Sequence, residues 1–223
     1  MLVDLHVHTK LSSDSNVEPE QYLEAIAQNP IRLGAISFTE HRLFPGDAEI
    51  ERTYAELAER FGVRIFKGVE ADTNLGHLLI FGVTRELQRR FDLEARMLRA
   101  EHLMEVVHGE GGIAIPAHPF RDSGYGARLD ELLAKVGPAL SAIEVINGQN
   151  SDDQNAEAQA MAEKLGLTPL AGSDAHFSTA NWFLTCATEL EREVATVEEL
   201  CLELRAGRAR PFLFPREINH THD

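Results

Sequence analysis

The chain has 223 residues and a formal net charge of −15 at neutral pH, with 43% hydrophobic and 26% charged residues. This composition is typical of an ordinary soluble globular protein and excludes disorder, and the acidic balance argues against a surface that binds long nucleic acids. Because barrels commonly reach this length as one unit, we expect a single domain over residues 1–223.

No apolar run is long enough to span a membrane. Residues 2–7 have the pattern of a buried strand, so we expect no cleavable apolar segment before the fold. Cys186 and Cys201 are the only cysteines and lack the spacing of a disulfide framework or of a metal site. A cytoplasmic protein without a membrane partner is therefore expected.

Apolar runs bounded by turn residues predict seven strands in chain order. They span residues 2–7, 33–38, 63–69, 75–83, 112–116, 141–146 and 168–171. Apolar positions at spacings of three and four predict helices over residues 19–28, 47–61, 85–108, 129–136 and 152–165. Gly62, Gly109 and Gly166 follow three of these helices, at positions that favour left-handed caps.

Strands that alternate with helices along the whole chain predict a mainly parallel sheet. We favour an α/β barrel of seven or eight strands. The alternative is an open doubly wound sheet, but Val7-His8-Thr9-Lys10 follows the first strand where a glycine-rich fingerprint would be needed.

His6 and His8 are two residues apart on the first predicted strand. Alternate side chains of an extended segment share a face, so both imidazoles can bind one ion while Val3, Leu5 and Val7 face the helices. Two such histidines alone are weak evidence for a metal site.

Residues with ligand-type side chains also lie at or near the carboxyl ends of other predicted strands. They are His41, Glu70, His118, Asp174 and His176, with His77 inside the fourth predicted strand. In an α/β barrel the carboxyl ends of the strands meet on one face, where the loops form the active site. The set therefore predicts a metal centre built from distant segments. Four histidines on a predicted helix or in the tail are left outside it: His102, His108, His220 and His222.

The motifs HVHTKLSSDS, FTEH, KGVE, AHPF and GSDAH occur in this order between residues 6 and 176. Together they resemble the polymerase and histidinol phosphatase (PHP) family. The resemblance implies a distorted seven-stranded α/β barrel, the (β/α)7 TIM-like PHP fold, with two or three divalent metal ions, Zn, Mn or Fe, at one end. It also implies a phosphoesterase that attacks its substrate with a hydroxide bridging the metal ions.

The resemblance assigns the ligands to three groups. They are His6, His8, Glu70 and Asp174 for a first ion; Glu70, His77 and His118 for a second ion; and Asp14, His41 and His176 for a third. Glu70 bridges the first two ions, and Glu70 and Asp174 are the expected catalytic carboxylates.

Three further residues are candidates for supporting roles around the ligands. Glu40 stands in FTEH where the family usually has Asp, and its longer carboxylate can still orient an imidazole near His41. Glu144 and Asn147, in IEVING, either act in the same way or cap the end of their strand.

Arg121 and Lys10 are the basic residues nearest to the proposed ions in the sequence. Both are candidates to bind phosphate oxygens, and we favour Arg121 as a catalytic residue because its forked guanidinium suits phosphate. Trp182 and Phe183 either wall the pocket or pack beneath it.

A small phosphorylated substrate fits the acidic chain best. Setting aside the carboxylates of Asp14, Glu70 and Asp174 leaves 33 of the 36 acidic residues against 21 basic residues. Two alternatives stay open: a nuclease acting on oligonucleotide ends, and a non-catalytic metal-binding PHP module. The substrate depends on loops 42–47, 121–128 and 177–183, and the sequence indicates neither the native metal nor the oligomeric state.

Overall fold

Strands and helices alternate along most of the chain. The computed structural model describes residues 1–137, 140–178 and 182–215. The strands are β1 (Leu2–Val7), β2 (Ala35–His41), β3 (Arg64–Thr73), β4 (Gly76–Phe81), β5 (Ile113–Pro116), β6 (Ala142–Asn147), β7 (Thr168–Gly172), β8 (Cys186–Leu190) and β9 (Ala209–Leu213). The helices are α1 (Pro19–Gln28), α2 (Ala48–Phe61), α3 (Arg85–Arg90), α4 (Ala100–Gly109), α5 (Leu129–Val136), α6 (Asp152–Leu165) and α7 (Val197–Arg205).

Two sheets form the distorted TIM-like barrel that the sequence predicts. A seven-stranded sheet has the order β5-β4-β3-β2-β1-β8-β9, and β6 and β7 form a separate pair. β6 contacts β5, and β7 contacts β1, β8 and β9, so this pair covers the open side of the larger sheet. The seven predicted strands correspond to β1–β7, whereas β8, α7 and β9 were not predicted.

The prediction of a mainly parallel sheet was wrong. β1, β2 and β3 are parallel neighbours and β6 is parallel to β7, but β4, β5, β8 and β9 enter the large sheet through antiparallel pairs. Only residues 74–75 separate β3 from β4. Such a link is too short for a parallel crossover and forces a hairpin.

The predicted helix over residues 85–108 is two helices, α3 and α4, separated by residues 91–99. Phe91 leaves α3 with extended backbone, and its side chain and that of Leu93 are buried in the core. Leu98 then forms two backbone hydrogen bonds at the end of β3. Its N–H donates to Asp72 O at 3.0 Å, and its carbonyl accepts from Asn74 N at 2.8 Å. These tertiary contacts override the helical propensity of the segment.

Two of the three predicted glycine caps are confirmed. Gly62 and Gly166 end α2 and α6 in the left-handed region, with φ of 62° and 66°. Gly109 is instead the last residue of α4; Glu110 caps that helix, and Gly111 adopts the positive φ of 87°.

Tyr22 ties α1 to the end of the barrel where β1 and β7 finish. Its side chain is fully buried, and its hydroxyl donates to His8 O at 2.9 Å and to Ala175 O at 3.0 Å. Phe183 packs edge-on against the Tyr22 ring, with centroids 4.8 Å apart. Within the described ranges, no helix has the length and apolarity that crossing a membrane requires.

Tyr22→Phe should lower the free energy of unfolding by about 1 kcal/mol, because two buried carbonyls lose a hydroxyl donor. Tyr54→Phe is the matched control: Tyr54 is 5% exposed, and its hydroxyl has no hydrogen-bond partner among the described residues. Removal of the Tyr54 hydroxyl should leave the free energy of unfolding unchanged or raise it. Urea unfolding of both variants measures the difference, and equal losses would contradict the role given to the Tyr22 hydroxyl.

Candidate metal centre

The predicted ligand side chains converge at one end of the barrel. They come from β1 and the loop after it, from β2, β3 and β4, and from the loops after β5 and β7; they are His6, His8, Asp14, His41, Glu70, His77, His118, Asp174 and His176. His77 joins the set from the start of its strand because β4 runs antiparallel to β3, which pairs His77 with Asp72. The structure thus places all nine together, including His77, which the sequence placed inside a strand rather than at its carboxyl end.

The first group surrounds a point lined by buried atoms. His6 Nε2 lies 3.4 Å from Asp174 Oδ1 and 3.5 Å from Glu70 Oε1. His8 Nε2 lies 3.4 Å from Asp174 Oδ1 and 3.4 Å from Glu70 Oε2. Ligand atoms bound to one tetrahedral zinc ion would be about 3.4 Å apart. Both Nε2 atoms are buried without a hydrogen-bond partner among the described residues, so this group fits a cation.

The second group shares the Glu70 carboxylate. Glu70 Oε1 lies 2.7 Å from His77 Nδ1 and 2.9 Å from His118 Nε2. The backbone of His118 has a φ of 32° and that of Asp174 a φ of 55°. Non-glycine residues in the left-handed region are uncommon and concentrate at functional sites, where surrounding contacts hold them.

The third group lies nearer to solvent. Asp14 Oδ2 is 3.2 Å from His41 Nε2 and 3.5 Å from His176 Nε2, and these two nitrogens are 3.3 Å apart. His41 Nδ1 also lies 2.8 Å from Glu70 Oε2, which connects this group to the other two. The Asp14 side chain is 53% exposed, so this group is the most accessible of the three.

His6 and the neighbouring carboxylates stabilise each other's charged forms, whereas burial lowers the pKa of His8 to about 3. Burial lowers the pKa of His6, but the carboxylates of Asp174, Glu144 and Glu70 outweigh burial and hold it well above 6.5. Burial likewise opposes the ionised forms of Glu70 and Asp174, yet the neighbouring histidines hold the pKa of both carboxyls well below the usual range. The site therefore keeps anionic ligands in a buried place, where divalent cations can replace protons as the compensating charge.

Glu144 orients one ligand and supports another. Its Oε1 accepts from His6 Nδ1 at 3.0 Å, which leaves His6 Nε2 as the ligand atom. Its Oε2 accepts from the backbone N–H of His118 at 2.6 Å and from Asn147 Nδ2 at 3.0 Å. Glu144 was considered either to orient an imidazole or to cap the end of its strand. Its contact with His6 Nδ1 is that of a residue that orients an imidazole.

Glu40 acts on a different histidine from the one expected. Its carboxylate accepts from Thr9 Oγ1 at 2.6 Å and from Ser12 Oγ at 2.6 Å. Ser12 Oγ in turn lies 3.2 Å from His8 Nδ1 and accepts from the backbone N–H of His41 at 2.9 Å. Glu40 therefore orients the His8 imidazole through Ser12, and it reaches only the backbone of His41.

The two predicted phosphate contacts differ in their surroundings. Arg121 lines the cavity, but its Nη2 donates to Asp174 Oδ2 at 2.8 Å and to Asn147 Oδ1 at 2.7 Å. Its Nε donates to Asn150 Oδ1 at 2.9 Å. Contacts within the protein, including the one that fixes Asp174, therefore occupy much of the guanidinium. Lys10 pairs with Glu18 at 2.9 Å and does not line this cavity.

A cavity of about 430 Å³ lies over the ligand cluster. Besides the ligands and Arg121, its lining includes two further arginines, Arg42 and Arg96, and three aromatic side chains, Tyr125, Phe177 and Trp182. Trp182 thus walls the pocket, whereas its neighbour Phe183 is buried in the core. Sequence reasoning missed both arginines, although Arg42 opens one of the loops expected to set the substrate.

Comparisons with known proteins agree on the family. The profile of the PHP domain matches residues 4–165, and that of a PHP-associated segment matches residues 152–209. No curated protein matches the chain.

Three solved structures share the fold. PsfC from Pseudomonas syringae is 23% identical with a TM-score of 0.68, over 96% of this chain and 91% of that one. A two-domain protein from Bacteroides vulgatus, described as containing a predicted PHP-like metal-dependent phosphoesterase, is 19% identical with a TM-score of 0.69, over 96% of this chain and 64% of that one. The lesion-specific endonuclease PfuEndoQ from Pyrococcus furiosus is 17% identical with a TM-score of 0.68, over 94% and 57%.

Glu144→Gln should weaken metal binding about 10- to 100-fold, because His6 Nδ1 loses its anionic acceptor. Competition with a chelator measures the affinity. Glu203→Gln is the matched control: Glu203 is also a buried carboxylate, but it pairs with Arg192 and Arg208. This control should lose stability and keep its metal affinity. Equal affinities in Glu144→Gln and in the parent protein would contradict the orienting role.

Proposed function

The chain belongs to the PHP domain family, and from this premise we propose that it is a metal-dependent phosphoesterase that hydrolyses a small phosphate ester. One observation carries the proposal. The buried Nε2 atoms of His6 and His8, without hydrogen-bond partners among the described residues, converge with the Glu70 carboxylate beneath a cavity of about 430 Å³. A cavity of this size suits a small-molecule substrate.

We propose that the three groups of side chains hold two or three divalent ions, Zn, Mn or Fe. The proposed ligands are His6, His8, Asp14, His41, Glu70, His77, His118, Asp174 and His176. Bound divalent ions supply Lewis-acid chemistry: they make water nucleophilic near neutral pH and stabilise the charge that develops on phosphoryl oxygens.

Glu70 and Asp174 are the proposed catalytic carboxylates, and each uses its two oxygens differently. Glu70 Oε1 faces His77 and His118, while Oε2 faces His8 and His41, so this carboxylate sets the spacing between the groups. Asp174 directs Oδ1 toward the histidines of β1, and Arg121 fixes its Oδ2. Phosphate binding by Arg121 stays a prediction. It could use only the guanidinium N–H groups that do not already donate to Asn147, Asn150 and Asp174.

We further propose that the chain forms a single PHP-type domain. In support, β8, from the later part of the chain, pairs with β1, the strand that carries His6. A cytoplasmic location stays a prediction from the cysteine content.

The nuclease alternative keeps one argument in its favour, since exposed aromatic side chains beside arginines can also bind single-stranded nucleic acid. The acidic charge of −15 argues against it.

Small phosphate esters should be hydrolysed faster than long oligonucleotides, because a strongly acidic chain repels long polyanions. Metal-loaded protein is tested against phosphate monoesters, nucleotides and short and long oligonucleotides in competition at low salt, where repulsion is least screened. A strong preference for a long oligonucleotide would favour the nuclease alternative instead.

Glu70→Gln should reduce turnover by several orders of magnitude and lower the metal content, because the neutral amide cannot bridge two cations as a carboxylate does. Elemental analysis and single-substrate kinetics measure the two effects. His102→Ala is the control, because the His102 side chain is 56% exposed on α4 and should leave activity nearly unchanged. Circular dichroism must show both variants folded. A Glu70→Gln variant with full metal content and near-normal turnover would remove the bridging assignment, and the shared-carboxylate mechanism with it.

A further inference from the structure

The exposed aromatic side chains of the described residues surround a single cavity. The chain has 11 Phe, 3 Tyr and 1 Trp, and among the described residues the aromatic side chains that are largely exposed are Trp182 at 38%, Phe177 at 48% and Tyr125 at 51%. All three line the cavity over the ligand cluster. Aromatic surface concentrated in one concave place is typical of a ligand-binding site.

Tyr125 is fixed beside a proposed metal ligand. Its carbonyl accepts from His77 N at 2.9 Å, and its ring centroid lies 5.0 Å from that of His77. The next residue, Gly126, packs so closely that a Cβ there would lie 2.8 Å from Arg121 O. The aromatic surface therefore reaches the metal cluster, so a planar group bound on it would be a neighbour of the reacting phosphate.

Two arginines of this cavity are unused by the protein. Within the described ranges, Arg42 and Arg96 form no ion pair and no side-chain hydrogen bond, unlike Arg121, which holds Asp174. Asp72 is the one further carboxylate that lines the cavity outside the proposed ligand set in this part of the chain. Outside the proposed ligands and Arg121, the lining therefore holds two arginines and one carboxylate, which leaves a net positive charge for an anion.

The backbone holds both arginines in unusual segments. Arg42 directly follows His41 and has a φ of 56°, and its N–H donates to Glu70 O at 2.9 Å. Arg96 lies in the segment 91–99, where the helical pattern is broken and Leu98 bonds alongside β3. A non-glycine residue in the left-handed region is strained, so the surrounding contacts hold Arg42 in this conformation.

The reacting phosphate belongs at the metal cluster, so these arginines and aromatic rings are left for the rest of the substrate. We infer that the substrate is a phosphate ester whose leaving group carries a planar ring, which packs on Trp182, Phe177 and Tyr125, and a second anionic group, which Arg42 and Arg96 bind. This inference rests on the proposed function and names the substrate class of the same site.

Four phosphate monoesters separate the two features. Glycerol 3-phosphate has neither, 3-phosphoglycerate has a second anion, phenyl phosphate has a ring, and 4-carboxyphenyl phosphate has both. We expect kcat/KM to be highest for 4-carboxyphenyl phosphate. The ring should contribute about 3- to 10-fold, and the carboxylate about 10-fold through a charge-assisted contact with arginine.

Variants assign each preference to its side chains. Arg42→Gln and Arg96→Gln should reduce the ratio of kcat/KM for 4-carboxyphenyl phosphate to kcat/KM for phenyl phosphate. Trp182→Ala should reduce the advantage of phenyl phosphate over glycerol 3-phosphate. Arg52→Gln is the control, because Arg52 is an exposed arginine of α2 that does not line the cavity. It should keep both preferences.

Binding without turnover gives an independent measurement. Trp182 is the only tryptophan of the chain, so its fluorescence reports directly on the cavity. Metal-loaded protein is titrated with phenylphosphonic acid and with 4-carboxyphenylphosphonic acid, neither of which has an ester bond to cleave. The carboxylated ligand should bind about 10-fold more tightly to the parent protein, and Arg42→Gln and Arg96→Gln should each reduce this difference.

The outcomes distinguish the two proposals. If none of the four esters is hydrolysed but the binding preference is found and depends on Arg42 and Arg96, the proposed hydrolase function fails and the ligand class stands. If the esters are hydrolysed with similar kcat/KM and the two phosphonic acids bind equally, the inferred substrate class is wrong and the hydrolase proposal stands. Equal losses on all four esters in the arginine variants would also overturn the inference.

Discussion

The buried carboxylate of Glu70 is the constraint on which the rest of the site depends. An ionised carboxylate out of water requires nearby positive charge or several hydrogen bonds. Here histidines surround it, with His41 at 2.8 Å, His77 at 2.7 Å and His118 at 2.9 Å. These histidines lie on or just after β2, β4 and β5, so the strands must meet at this edge of the sheet for the charge to be balanced. The same arrangement that makes the buried charge tolerable also supplies the ligands for cations.

The antiparallel β3–β4 hairpin, which the two-residue link forces, also meets this constraint. A parallel crossover would have brought the carboxyl end of another strand beside β3, whereas the two-residue link brings the start of β4 back to it. His77 therefore reaches Glu70 from across a tight turn, only seven residues away in the chain. In this part of the barrel the departure from parallel order places a ligand that regular alternation of strands and helices would not.

The sequence predicted that the proposed ligand side chains lie together, because several of their positions follow from local rules. Alternation on β1 puts His6 and His8 on one face, and carboxyl ends of parallel strands converge whatever the details of packing. The features that the sequence did not predict are those that depend on tertiary contacts. The break after Phe91 depends on Leu98 bonding with β3, and the partners of Arg121 depend on how the loop after β5 meets β6. Likewise β8 and β9 are short strands of five residues each, whose pattern is weak until β1 provides a neighbour.

Charge acts on ligands of different size in different ways. The chain carries −15, yet its cavity contains two arginines without partners among the described residues above a site suited to divalent cations. Electrostatic effects at the surface fade over about 8 Å at physiological ionic strength. Under the proposed function, a small dianion that enters the cavity completely would meet mainly the arginines and the bound cations there. A long polyanion would leave most of its length outside, over an acidic surface, where each further phosphate would add repulsion without adding a contact. Selection for small, multiply charged substrates would then need no gate or lid, because the contrast between an acidic surface and a cationic cavity would be sufficient.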